Sequence, residues 1–379
     1  MPTKLNLSAT NTSVNIISIK SEMWERLLSW YDLNRRVLPW RALKDEIPNP
    51  YYVYLSEVML QQTTVATVKA YFQRFINKWP ELKDLAQASL DEILVEWQGL
   101  GYYSRARNLH AAVKSLSNMS IFPSNPSDLK SLPGIGDYTS AAVASIAFDY
   151  SIIPVDGNIM RVLSRIFTVP FSQPELKDEI TKICVLLADQ KRSGDFAQGL
   201  MDLGALICRP KDPKCNECPL KVVCQAYQQQ RILEFPKPKL KKEKPSRYGT
   251  AFILINQGKI LLEKRPEKGL LGGMMGLPTT PWEQKPLNEM HSFEFEQEIE
   301  WETLPISVKH TFTHFHLYLS IRIGVTEQPS KGFWVDLDEL NTIALPTVMK
   351  KVIQKIPEHF KVRNAIKSRQ LKKNSLQRR

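Results

Sequence analysis

No stretch of this chain approaches the roughly 18 consecutive apolar residues that a membrane-crossing helix requires, so no membrane role is expected. The first twenty residues, MPTKLNLSATNTSVNIISIK, lack the basic-then-apolar order and small-residue cleavage site of an export signal. Cysteine is scarce, five in 379 residues, and with no export signal a reducing, cytoplasmic setting is the default, which excludes a disulfide framework. The six histidines show no metal-ligand spacing. No internal repeat is present. What the chain does hold, 43% hydrophobic and 24% charged residues, excludes disorder as its general state. Its length allows two or three domains, each with a core of its own.

Positive charge is in excess, +12 at neutral pH, but it is unevenly placed. Residues 1–235 are net +2, residues 236–247 net +5, residues 248–360 net −3, and residues 361–379 carry eight basic side chains and no acids. A polyanion partner is suggested only where that charge can touch one.

Residues 1–20 read as a disordered N-terminal segment. Residues 21–235 read as all-helical: helical periodicity recurs, as at 85–97 and 138–148, with breaks at 48–50, 99–101 and 133–136, and β-branched alternation is scarce. The Pro/Lys-rich stretch PKPKLKKEKPSR (236–247) reads as an extended, solvated linker. Beyond it the period becomes two. TAFILIN, a Gln257-Gly258 turn and KILLEKR form a β-hairpin pattern; strands are expected at 305–312, 316–325 and 332–335, and a last helix at 346–356. The fold class is multidomain: an all-α domain (21–235), then an α+β domain (248–360) and a basic tail (361–379).

Four cysteines form one run, Cys208-x6-Cys215-x2-Cys218-x5-Cys224. In a reducing compartment such clustering argues for metal, either zinc or an iron–sulfur cluster. Zinc knuckles come as two close pairs, and only one is present, so the spacing favours a 4Fe–4S cube. Cys184, in a helical stretch, reads as a buried apolar thiol. Arg209, Lys211 and Lys214 in the cysteine loop read as phosphate contacts or as solvated charges. Upstream, LPGIG (132–136) joins two helices. Leu132, Gly134 and Gly136 form a turn whose backbone N–H groups, with the next helix N-terminus, suit an anion such as a duplex phosphate. Ordinary helical hairpins use the same turn. Asp156 precedes a helical pattern, where it caps, reacts, or does both.

A helix–hairpin–helix turn followed by VDGNIMR (155–161) and that cysteine run resembles the endonuclease III superfamily of DNA glycosylases. RVLPWR (36–41), SEVMLQQTTV (56–65) and GLGYYSR (99–105) narrow the resemblance to its MutY branch, which acts on adenine. The resemblance runs from Trp24 to Cys224. It continues past the linker into a domain marked by LLGGMMGLP (270–278) and HTFTHFH (310–316). It implies that adenine opposite 8-oxoguanine or guanine in duplex DNA is flipped out and its N-glycosidic bond hydrolysed, by a monomeric, nucleoid-associated enzyme holding a 4Fe–4S cluster.

Such a reaction needs an acid to protonate the leaving base and a carboxylate to stabilise positive charge on the sugar. Glu57 matches the acid, among Leu55, Val58 and Met59, an apolar setting that raises a carboxyl pKa. Asp156 matches the second carboxylate, stabilising the sugar cation, directing water or bonding the sugar transiently. Tyr138 stands where bifunctional relatives carry a lysine that forms a Schiff base. Tyrosine cannot, which implies a monofunctional glycosylase. The resemblance also places Arg36, Trp40, Arg41, Leu60 and Asp202 around the adenine, and Gln62 and Tyr102 as wedges in the base stack. Asp202 is shorter than the Glu some members have, and the span from Arg41 to Glu57 is lengthened.

The C-terminal part resembles a Nudix hydrolase fold, yet the metal-binding string R-E-U-x-E-E is missing. The acidic run EFEQEIEWE (294–302) reads as a solvated strand face. Phe312, Thr313 and His314 match the loop that contacts 8-oxoguanine, with Thr313 where many members have Ser. Two other readings follow from the same features: a non-catalytic iron–sulfur DNA-binding protein, against which the Glu57/Asp156 pair argues, and a nucleotide pyrophosphohydrolase, against which the missing metal string argues.

Overall fold

The computed structural model describes residues 6–189, 191–238, 243–267, 269–285, 299–327, 331–357 and 360, with side chains described from residue 16 onward. The described residues divide into two compact units, one drawn from 6–87 and 108–238, the other from 88–107 and 243–360. The expected helical domain at 21–235 is therefore interrupted. Segment 88–107 belongs to the second unit, where Gln98 donates to the Ile343 carbonyl, Lys264 pairs with Asp91 at 3.2 Å and Arg107 donates to the Gly272 carbonyl. Periodicity shows that a helix buries one face; it does not show against what.

The helices are α1 (Asn6–Asn34), α2 (Pro50–Leu60), α3 (Val65–Lys78), α4 (Leu82–Gln87), α5 (Leu90–Glu96), α6 (Ser104–Ser117), α7 (Pro126–Lys130), α8 (Asp137–Phe148), α9 (Gly157–Ile166), α10 (Glu175–Leu187), α11 (Ser193–Leu206), α12 (Gln225–Gln228) and α13 (Thr347–Ile353). The N-terminal expectation needs correction, because residues 6–20 are helical and continue into α1. Ile16, Met23, Leu27 and Tyr31 repeat at helical spacing on one buried face. Trp24 stacks on Phe196 at 3.9 Å and donates from Nε1 to the Leu187 carbonyl at 3.0 Å. A polar composition hid this seam.

In the first unit, α2 is buried along most of its length. Asn49 caps it, accepting from the N–H groups of Tyr51 and Tyr52, and Pro50 takes a first-turn position where no amide hydrogen bond is lost. Residues 53–59 are all buried, so the helix is enclosed on every side and delivers Glu57 into an apolar interior. Helix α8 packs on α2 and α11. Its small residues permit a close approach: a Cβ on Gly194 of α11 would lie 2.5 Å from the Ser145 carbonyl oxygen. Asp149, the left-handed C-cap of α8, accepts from the amides of Arg192 and Gly194 and so also caps α11.

The second unit is built on β1 (Ser246–Asn256), β2 (Lys259–Lys264), β3 (Met275–Gly276), β4 (Glu302–Thr303), β5 (Val308–Thr311), β6 (His316–Val325) and β7 (Phe333–Asp336). Strands run in the order β3-β2-β1-β6-β4, with β5 also on β6 and β7 on β2. The sheet is mixed. β1 and β6 are parallel, with Ser246 opposite His316 through Ile255 opposite Val325. The Gln257-Gly258 turn has φ of 48° and 85°, the left-handed pair that a two-residue hairpin needs. β1 opens at Ser246, so the last two residues of the expected linker are strand. The tail 361–379 and residues 294–298 of the acidic run lie outside the described residues. The rest of that run puts Trp301 edge-on to Phe252 at 5.1 Å, with Glu302 exposed in β4. No helix among the described residues is long and apolar enough to cross a membrane.

Candidate functional site

Three elements of the first unit bring three groups together. Helix α2 supplies Glu57, α8 supplies Tyr138, and the turn before α9 supplies Asp156. They line one cavity of about 510 Å³, with Arg36, Trp40, Arg41, Leu60 and Gln62 also in its wall. The lengthened span between Arg41 and Glu57 does not remove Arg41 from it.

Glu57 is 5% exposed, and burial pushes its carboxyl from 4.5 up to about 7. Tyr138 Oη donates to Glu57 Oε2 at 2.6 Å and pulls the other way; Asp156 raises the value further and Arg41 lowers it. The acid is thus poised near neutrality. Tyr138 itself is pushed well above the usual phenol range, first by burial and then by the carboxylates, so it stays a donor.

Asp156 both caps and faces the cavity. Its Oδ1 accepts from the Ile159 amide at 2.7 Å, and its Oδ2 accepts from Asn158 Nδ2 at 3.0 Å. Burial raises its carboxyl, and these donors oppose the rise. Arg161 holds Asn158 Oδ1 at 2.9 Å and also donates to the carbonyls of Gly204 and Cys208. Neither Asn158 nor Arg161 was singled out from sequence. Their signal is their place in VDGNIMR, two and five residues after the carboxylate.

Asp202 departs from expectation. It does not line the cavity: its side chain has no exposure and sits behind Arg36 and Arg41, bonded to both.

The hairpin before α8 places Gly134 at φ 72°, where a Cβ would lie 2.3 Å from that of Asn108, so glycine is required. Gly136 has ordinary φ, caps α8 and has open space around it; Leu132 is buried beneath the turn. Gln62 stands at φ 57°, strained for a side chain of its kind.

Comparison with known proteins fits this geometry. Residues 55–185 match the HhH-GPD superfamily base excision DNA repair protein family, and residues 250–355 match the NUDIX domain. An adenine DNA glycosylase of Buchnera aphidicola subsp. Schizaphis graminum is 35% identical over 354 residues, covering 88% of this chain and 97% of that protein. The Homo sapiens adenine DNA glycosylase is 34% identical over 399 residues, covering 86% of this chain and 72% of that protein. This chain belongs to the adenine DNA glycosylase family. Among solved structures, a thermostable thymine-DNA glycosylase is similar at TM-score 0.49 and 28% identity, over 58% of this chain and 99% of that one.

The second unit of this family member carries the other expected residues. Phe312–Phe315 is a four-residue turn between β5 and β6, closed by a 2.9 Å bond from the Phe312 amide to the Phe315 carbonyl. Phe312 is anchored against Trp282, Phe315 and His310, with ring centroids 5.8, 4.9 and 4.6 Å away. Thr313 and His314 stay exposed. Thr313 Oγ1 shares a 2.6 Å hydrogen bond with Oη of Tyr102, whose backbone is left-handed at φ 46°.

Cys208, Cys215, Cys218 and Cys224 lie just beyond α11, near enough to one another for their charges to interact. Backbone amides of Leu220 and of Ala226 and Tyr227 face the sulfurs of Cys218 and Cys224, and Arg165 donates to Cys208 Sγ at 3.3 Å. Among the described residues, no three His, Cys, Asp or Glu side chains converge as ligands of a single ion. Arg209 donates to its own loop at the Asp212 carbonyl, and Lys214 pairs with Glu217 at 3.3 Å. Cys184 is buried in α10, as expected.

Proposed function

We propose that this protein is a monofunctional glycosylase that extrudes adenine paired with 8-oxoguanine or guanine from duplex DNA and hydrolyses its N-glycosidic bond. The observation that carries the reading is one cavity that holds a fully buried carboxyl, pushed by burial up to about 7, beside a second carboxylate. Glu57 donates that proton to a ring nitrogen of the base, so the base departs neutral as the bond to the sugar breaks. Asp156, held by Ile159 and Asn158, stabilises the oxocarbenium-like sugar until water adds to it. Tyr138 offers no amine for a Schiff base, so the strand stays uncut.

Arg36, Trp40, Arg41 and Leu60 surround the base. Gln62 and Tyr102, both in the left-handed region where strain marks functional positions, fill the gap in the stack. The turn at Leu132, Gly134 and Gly136 receives a phosphate, and Phe312, Thr313 and His314 read the lesion. The four cysteines fit a 4Fe–4S cluster: four thiols share one loop, and backbone amides and Arg165 are directed at their sulfurs. Bound there, the cluster would fix the loop that follows α11.

One assay tests the reading. The protein is incubated with a duplex holding A opposite 8-oxoguanine and, separately, with free 8-oxo-dGTP, and both are repeated with Glu57→Gln. Adenine release that is lost in the variant, with an uncut strand and untouched nucleotide, is the expected result. Release unchanged by Glu57→Gln refutes the acid assignment. Nucleotide hydrolysis, or binding without base release, replaces the reading with another.

A further inference from the structure

Asp202 is the most completely engaged carboxylate among the described residues of the first unit, and it touches no open space. Oδ1 accepts from Arg36 Nε at 2.6 Å and Arg41 Nη2 at 2.8 Å; Oδ2 accepts from Arg41 Nη1 at 2.7 Å and the Arg36 amide at 3.1 Å. A carboxylate offers about four acceptor positions, and all are taken. None is left for the exocyclic amine of a base. The two arginines, not the carboxylate, face the cavity.

The arrangement matters because of what else is there. Glu57 on α2 meets Tyr138 of α8, Asp156 at the start of α9, and Arg41 of the segment before α2; α11 presents Asp202 behind Arg41, with Arg36 alongside. Helix α3 contributes only Val65 to the cavity wall. Without Asp202, two guanidiniums would confront an acid that must keep its proton and a base that must accept one. With it, their net charge is halved and Arg41, 8% exposed, is gripped at both terminal nitrogens.

We propose that Asp202 is a positioning residue that acts on Glu57 through Arg41, balancing charge in the cavity rather than contacting the substrate. This rests on Glu57 being the acid. Burial disfavours the charge on Arg41, and the Asp202 hydrogen bonds and charge, with Tyr31 of α1 and Glu57 acting in the same direction, outweigh it, so Asp202 and Glu57 both act on this one guanidinium.

The test is the pH–rate profile of single-turnover adenine release for wild type, Asp202→Asn, Asp202→Glu and Arg36→Gln. In Asp202→Asn the alkaline limb set by Glu57 should move down by about half to one unit. The loss would then be about three- to tenfold greater above the limb than below it. Asp202→Glu keeps the charge and should leave the limb in place, whatever its effect on rate. Arg36→Gln removes a positive charge, and its limb should move up. Because Arg36 is partly exposed, this variant decides the matter if Asp202→Asn does not fold. A loss equal at every pH in Asp202→Asn, or a limb unmoved in Arg36→Gln, overturns the proposal. Absence of adenine release by wild type would sink the functional reading itself; an active wild type with unmoved limbs sinks only this inference.

Discussion

Replacing Glu57 by glutamine should abolish base release and, at alkaline pH, make the protein more stable. The carboxyl titrates at about 7 in the folded chain against an ordinary 4.5. A folded value above the unfolded one means that the native state binds the proton more tightly. The stability this confers is complete below pH 4.5 and is lost as the pH rises through 7. A difference of 2.5 units corresponds to about 3 kcal/mol. Glutamine has nearly the same shape, keeps an oxygen for the Tyr138 hydroxyl and never ionises. Wild type and variant should therefore melt together near pH 4.5 and diverge by about 6–12 °C at pH 8.5, the variant higher. Melting scans across that pH range, by circular dichroism and without DNA, supply the measurement. A difference between the two proteins that does not change with pH would refute the argument that burial protonates Glu57.

Asp156→Asn should retain the cap on α9 and lose base release, whereas Asp156→Ala should lose both, with about 1 kcal/mol of stability; wild-type turnover by Asp156→Asn would show that the charge is unnecessary. Thr313→Ala should release adenine but no longer favour 8-oxoguanine over guanine as the opposing base, and preference equal to wild type counts against its reading role. Cys218→Ser should deplete iron and visible absorption in the purified protein, while stoichiometric zinc without iron in wild type would overturn the cluster. Deleting residues 361–379, which removes eight positive charges, should flatten the salt dependence of DNA binding; an altered base preference would contradict that assignment.

Local chemistry made much of the fold legible. The strand at 316–325 and the Gln257-Gly258 hairpin stand where period-two alternation and turn chemistry place them, and α8 begins one residue earlier than its periodicity suggests. Long-range partners decided the rest. The N-terminal helix is held by contacts to residues more than 160 positions away, such as the Leu187 carbonyl under Trp24. Segment 88–107 goes with the second unit for the same reason. In the cavity, the motifs located Glu57, Tyr138 and Asp156 because each is a distinctive residue in a long ordered string. They did not show that Asp202 is bonded behind Arg36 and Arg41, since a spacing says which helix a carboxylate sits on and not what it pairs with. Of the two hairpin glycines, only Gly134 answers to backbone conformation, and a bare G-x-G cannot tell them apart.

The partition of charge follows from the chemistry proposed for the cavity. A DNA-binding protein gains affinity from every lysine or arginine it can bring to phosphate. A glycosylase acid gains nothing from them, because positive potential strips its proton and opposes both a cationic base and an oxocarbenium-like sugar. The two demands are compatible only if the basic excess lies elsewhere in the chain. Residues 236–247 and 361–379 together hold +13, while the remainder sums to −1. The cavity itself follows the same rule. Its two arginines share one buried carboxylate, and Glu57 and Asp156 face them. When duplex DNA arrives, its phosphates add negative potential, which favours the protonated acid and the developing sugar cation alike. An enzyme with the same net charge spread around its cavity would bind DNA as readily and protonate adenine less well.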